Sequence, residues 1–235
     1  DLSGDVGSLS EVSSPRGTLE ATGINVSAIE RLIGHSDGAI EFNSFFNDAA
    51  DAQHLALRTL PTTDVVAIYA QAGVVGEVAA MLRGKQENFD HSRPADGSFT
   101  ATTKVVGNAS PVEWGNLLTA GKITHASATS TASKDDTTSS ANGIQAALNV
   151  FDIDSGTPTF LIEESSDNGV GDAWATKVSF GAIVSGTGEP TGVRATATGT
   201  VERYLRVTTT GTFTNADFVV AYRRGGANES PGLIT

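Results

Sequence analysis

The chain has 235 residues, carries a formal charge of −12 at pH 7, and contains 26 glycines but no cysteine. Without cysteine there is no disulfide, thiol catalysis or thiolate metal site, and the acidic balance is the wrong sign for a grip on nucleic acid. No apolar run approaches the ~18 residues of a membrane span, and the start DLSGDVGSLSEVSSPRG lacks the basic and apolar regions of a signal peptide.

The opening residues 1–23 are polar and glycine-containing, and read as a flexible arm that orders on a partner. Residues 24–125 read as a first β unit. INVSAIERLI is strand-like, HSDG supplies an Asp37-Gly38 turn, and the strand from Ala39 to Phe46 pairs back across it. In that strand Phe45 and Phe46 are adjacent and point to opposite faces. One of the two is therefore expected to be covered only by another copy of the chain. A helix is expected over about 48–60, capped by Asn47 or Asp48 and stopped by Pro61.

Asp64 to Ala70 reads as a buried strand, followed by a longer strand region from Val74 to Phe89, interrupted at Gly84, and a long loop near His91 to Pro94. Asp96-Gly97 then opens a strand running to Val106. Val112 to Lys122 is apolar and irregular, and the Ser/Thr-rich stretch 126–143 reads as a loop or linker. Residues 144–224 form a second β unit, either part of the same domain or a module of its own. Its strands are expected at 144–151, 159–164, 177–183, 192–198, 201–208 and 213–223, a spacing that suits an antiparallel sandwich or barrel. Residues 225–235 read as a C-terminal arm. The fold class is thus mainly β: an antiparallel sandwich or barrel with one flanking helix, and room for a second β-sandwich module in the C-terminal half.

The residues offer little chemistry. His35, His54, His91 and His125 are scattered, with no HxH or HExxH pair. Asp152 and Asp154 lack the later bidentate Glu of an EF-hand. Asp167 and Asp172 could offer oxygens to calcium, but SDNGVGD is also what a glycine-rich turn looks like. Glu163 and Glu164 leave a strand on opposite faces, which defeats a paired-carboxylate reading. SGTGEPTG lacks the Lys-Ser/Thr end of a phosphate loop. Trp114 and Trp174 are core or interface residues before they are sugar platforms. Arg203 and Arg206 read as cross-strand or inter-subunit ion-pair formers. The expectation is no enzyme, no catalytic, cofactor-binding or metal residue, and no cofactor.

The order IERLIGHSDGAIEFNSFFNDAADAQH, LPTTDVVAIYA, GKQENFD, ADGSFTATT, VEWGNLLTAGK, FLIEESSDNG and VERYLRVTTTGTFTNADFVVAYRR resembles the major tail proteins of long-tailed, actinobacterial-type phages, from about Ile24 to Arg224. The resemblance implies a tail tube subunit in the virion, assembled in the host cytoplasm. Rings, usually hexameric, would stack into a hollow tube through which DNA passes without specific binding. It implies self-association, contact with other tail proteins, and no membrane. Candidate lumen acids are Glu30, Asp37, Glu41, Glu77 and Glu87, and candidate inter-subunit residues are Phe45, Phe46, Arg83, Phe89, Arg203 and Arg206. Inter-ring contacts are expected in the arm 1–23, the 74–94 hairpin and the 225–235 segment. The alternatives are another virion module, such as a capsid decoration protein, or a carbohydrate-binding β-sandwich.

Overall fold

The computed structural model describes residues 1–49 and 52–226, so the C-terminal arm beyond Gly226 lies outside the described residues. The chain is mainly antiparallel β and divides into two compact units. Unit 1 comprises Asp1–Ala67 and Leu82–Val112, and unit 2 comprises Ile68–Met81 and the chain from Glu113 onward.

Unit 1 holds β1 (Val6–Ser13), β2 (Arg16–Glu20), β3 (Arg31–Ser36), β4 (Ala39–Phe45), α1 (Gln53–Leu57), the start of β5 (Val65–Ala70), most of β6 (Val78–Ser92) and β7 (Thr100–Gly107). Its main sheet runs β1-β4-β7-β6, and β2 and β3 form a separate two-stranded ribbon. Period-2 alternation makes the sheet two-faced. Ile40 and Ser44 on β4 share the buried face with Ala101, Thr103 and Val105 on β7.

Several expectations shift here. The arm 1–23 is not free: β1 lies on β4, with Val12 opposite Ile40, and β2 lies on β3. The residues around Asp37-Gly38 do not close a hairpin, because β3 pairs back to β2 while β4 pairs with β1 and β7. Gly38 is needed for close approach instead: a Cβ there would meet the Val112 nitrogen at 2.7 Å. The helix is shorter than expected. Asn47 closes a local turn first, its side chain accepting from the Ala49 N–H and its carbonyl from the His54 N–H. Ala52 then stands at the helix start without a side-chain cap. The longer strand expected from Val74 is β6, which begins only at Val78, after a turn at 75–76, and runs through Gly84 without a break to Ser92. Its turn into β7 comes at Gly97, which takes φ +84° and donates to the Pro94 carbonyl.

Unit 2 is a β-sandwich. It contains β8 (Glu113–Leu117), β9 (Ile123–His125), β10 (Lys134–Asp135), β11 (Ile144–Gly156), β12 (Thr159–Ser165), β13 (Ala175–Ala182), β14 (Thr191–Ala197), β15 (Tyr204–Thr210) and β16 (Phe213–Arg224). One sheet runs β8-β16-β11-β14, with β9 beside β16 and residues Val78–Met81 of β6 beside β8. The other runs β10-β15-β12-β13. Leu148, Val150, Phe218 and Val220 face Phe160, Ile162, Leu205 and Val207 in one core. The Phe160 and Phe218 rings meet edge-on at 5.0 Å.

Residues 126–143 are not a linker between units. They run along β15 through β10, bridges at Ser130–Thr208 and Ser140–Val201, and backbone bonds such as Thr131 N–H to the Val207 carbonyl. Short hydroxyl side chains let this stretch hug its neighbour, as in the 2.9 Å contact between Ser130 and Thr208.

Candidate assembly surfaces

The solvent face of the unit 1 sheet is polar and knit together by short side chains. Asn43 on β4 receives the Thr102 hydroxyl at 2.6 Å and donates to Ser10 at 3.0 Å. Lys104 stands 3.9 Å from both Glu11 and Glu41. Asp90 lies opposite Thr102 in the β6–β7 register and accepts from Asn88. Glu11, Glu41 and Asp90 share this face with Lys104 and with Lys85, which lies opposite Val106 and is held by Asp64 at 2.8 Å, so its lysines are paired with carboxylates.

β1 is the outer strand of this sheet. Register shifts at Val6/Ser8 and Leu9/Glu11 bend it, a common device against unwanted edge pairing. The β2–β3 ribbon carries one such shift, at Arg16/Thr18, yet leaves its side chains open. Every residue of β2 and all but Ser36 of β3 are exposed, and Leu19 pairs with Leu32 in the open. Ile33 is 65% exposed, and the connecting loop adds Ile24, Val26 and Ile29. A two-stranded ribbon is marginal alone in water, and this one shows solvent the side chains that strands normally bury.

The adjacent Phe residues separate as their opposite phases require. Phe46 stacks on Phe99 at 4.5 Å in a cluster with His54, Phe89 and His91. Phe45 lies over Gly7 of β1, and 56% of it remains exposed.

The other expected site residues fall as follows. Glu41 and Glu87 stand on strands of the unit 1 sheet. Glu30 is exposed in the β2–β3 loop, and Asp37 is exposed after β3 with its N–H on the Pro15 carbonyl. Glu77 belongs to unit 2 and ties its own turn, accepting from the Val74 and Ala72 N–H groups; the Val74 bond in particular holds its carboxyl below the usual range. Arg83 pairs with Asp64 at 2.8 Å. Arg203 forks onto Asp135 at 2.7 and 2.6 Å. Arg206 binds Glu163 and covers the Trp174 ring at 4.2 Å. That guanidinium occupies a ring face a sugar would need. Trp114, by contrast, is 49% exposed on β8.

Asp167 is already engaged by its own loop. Its carboxylate accepts from the Asp172, Gly171 and Val170 N–H groups, which keep it below the usual carboxylate range. This is an Asx-type turn, and among the described residues no three His, Asp or Glu side chains gather as metal ligands. No described helix is long and apolar enough to cross a membrane. In the sequence, Leu19 lies in a stretch whose polar, glycine-containing composition points to an arm rather than to a ribbon strand. Its alternation with Thr18 and Glu20 was the available signal.

No family model matches the chain, and no curated protein matches it. One solved structure to which it is similar is the Dit protein of phage SPP1, described as a paradigm of the hub adsorption apparatus in phages that infect Gram-positive hosts. The two are 13% identical over 93% of each chain, with a TM-score of 0.30, a likeness that carries no argument about fold or function.

Proposed function

We propose that the chain is a structural, non-enzymatic virion protein: a phage tail tube subunit that self-assembles into stacked rings around a DNA-conducting lumen. The observation that carries this reading is the solvent face of the unit 1 sheet. It is polar and mildly acidic: Glu11 and Glu41 stand by Lys104, Asp64 pairs with Lys85, and Asp90 lies opposite Thr102. Such a wall repels phosphates weakly and offers no cationic grip, so DNA slides past it. Glu41 and Glu87 are the proposed lumen acids, joined by Glu11 and Asp90. The exposed ribbon and Phe45 are the proposed contacts between copies, and other tail proteins would meet the ends of the stack. The order of sequence blocks resembling major tail proteins supports the same reading.

Electron microscopy of the purified protein at high concentration tests it. Rings or tubes are the expected result. Protein that stays monomeric at all concentrations, even with other tail components added, overturns it. In tubes that do form, Glu11→Lys with Glu41→Lys is expected to retain DNA that the native lumen releases.

A further inference from the structure

Residues 123–131 strap the two sheets of the unit 2 sandwich together at one end. β9 lies along β16 of the first sheet, with Ile123 opposite Phe218 and His125 opposite Ala216. The chain then crosses to β15 of the second sheet, where the Thr209 N–H donates to the Thr129 carbonyl at 2.8 Å and the Thr131 N–H to the Val207 carbonyl at 2.9 Å. His125 stands at the crossing. Its Nδ1 lies 2.8 Å from the Thr209 hydroxyl, and its ring meets Phe218 edge-on at 4.9 Å. The Thr209 hydroxyl donates to the Thr129 carbonyl at 3.2 Å. Its one proton is thus committed, which assigns the imidazole proton to Nδ1, donating to Thr209. Nε2 is the nitrogen left to take a second proton.

The site receives a second proton badly. His125 is only 7% exposed, and the charged groups of the elements around it are turned elsewhere. Asp217 lies between the buried Ala216 and Phe218 of β16, so alternation sends it to the opposite face, where Lys122 and Thr124 bind it. Asp152 and Asp154 flank the buried Ile153 of β11 and are exposed. Arg206 lies between the buried Leu205 and Val207 of β15 and pairs with Glu163 of β12 away from the core. Glu164 with Lys177, and Lys134 with Asp136, stand at the Leu205 end of β15, the end away from Thr209. Residues 126–131 are Ala, Ser and Thr alone. Burial accordingly holds the imidazole below its ordinary value of 6.5.

We propose that His125 is an acid switch that releases the 123–131 strap. The neutral ring ties the strap to Thr209. The charged ring is a cation that the core rejects and water accepts, so protonation favours the opened strap. Little else resists opening, because the small side chains of 126–131 contribute hydrogen bonds and almost no apolar burial, the mark of a segment that opens locally. Opening frees the backbone edges of β15 and β16 that the strap covers. Since the closed form has the lower imidazole value, the opened form takes the proton first as pH falls. Closure is therefore complete above 6.5 and weakens below it. The switch lies wholly within unit 2 and stands whether or not the chain builds a tube.

Amide hydrogen exchange of the full-length chain, followed by NMR and corrected for the intrinsic pH dependence of exchange, tests it. Between about pH 7.5 and about pH 5.5 the protection of the Thr131 and Thr209 amides should fall roughly tenfold, the change that one linked proton produces. His125→Asn keeps an N–H for Thr209 and cannot take up a proton, so its protection should stay level over the same range. The native and variant chains share His35, His54 and His91, so the difference between them belongs to His125. Level protection in the native chain, or an equal fall in His125→Asn, overturns the switch. Should His125→Asn fail to fold, the NMR titration of the native ring decides. A His125 signal that takes up its proton while protection at Thr131 and Thr209 is unchanged overturns the switch, and uptake accompanied by the fall supports it.

Discussion

The hydroxyl of Tyr222 donates to both carboxylate oxygens of Asp136, at 2.7 and 2.8 Å, across 86 positions of sequence. Arg224 adds a second donor at 2.7 Å and Lys134 a third. Burial works most strongly against the Asp136 charge, yet these donors together hold its carboxyl below the usual range. Burial, and then the Asp136 hydrogen bond, push the Tyr222 phenol well up. The network fastens the Ser/Thr-rich stretch to the sandwich. Tyr222→Phe should cost about 1–3 kcal/mol, the penalty for leaving a buried charge short of a donor. Chemical denaturation at pH 7 measures it. Because the folded carboxyl is depressed, the loss should be full above the unfolded value and fade as pH falls through the folded one.

Glu113 and Arg194 form a buried pair at 2.6 Å, with the Glu113 side chain only 3% exposed. Burial pushes the Glu113 carboxyl up, against the pull of Arg194 and Arg223. Arg194→Met should cost about 3 kcal/mol, the lower end for breaking a buried pair, because Arg223 and Gln145 still reach the carboxylate. Adding Glu113→Gln should recover part of that loss, read as a coupling energy in a double-mutant cycle. The penalty of Arg194→Met alone should shrink on acidification, as Glu113 takes up a proton.

Asp64 gathers Arg83, Lys85 and the Asn108 amide, each within 2.9 Å. The Lys85 hydrogen bond first, and then Asn108, bring its carboxyl down to about 2. A depressed carboxyl stabilises the fold above its unfolded value of 3.8 and stops doing so as pH falls toward 2. The melting temperatures of the native chain and Asp64→Asn should differ by a constant amount near neutrality and converge toward pH 2. A gap that persists there would mean the charge is not what Asp64 contributes.

Gly38→Ala should destabilise unit 1 by about 1–3 kcal/mol, the range for forced overpacking. The new methyl would lie 2.7 Å from the Val112 nitrogen and 3.0 Å from the Pro111 carbonyl carbon, both backbone atoms that cannot swing aside. Gly97→Ala, in open space at φ +84°, should cost only the backbone strain of about 1 kcal/mol. Parallel denaturation curves separate crowding from conformation.

The second half was legible in the sequence because its strands alternate cleanly and end at turns. Phe218, Val220 and Tyr222 fall on one buried face as their spacing demands. The first half was less so, because strand pairing is a long-range choice that local signals do not make. Asp37-Gly38 has the composition of a hairpin turn, but Gly38 answers to Val112, 74 positions away. The Ser/Thr-rich stretch looked solvated because its anchors, Tyr222 and Arg224, lie far downstream. The candidate surfaces were half visible: opposite phase separated Phe45 from Phe46, while the open aliphatic ribbon needed β2 and β3 to be paired first.

The ribbon's bare aliphatics carry a thermal consequence. Water around exposed hydrocarbon makes its burial entropy-driven near room temperature, and this drive fades on cooling. Any association that covers Leu19, Leu32 and Ile33 should therefore loosen in the cold and re-form on warming. Light scattering cycled between about 4 and about 25 °C should rise with heat. The protein would be most dispersed on ice.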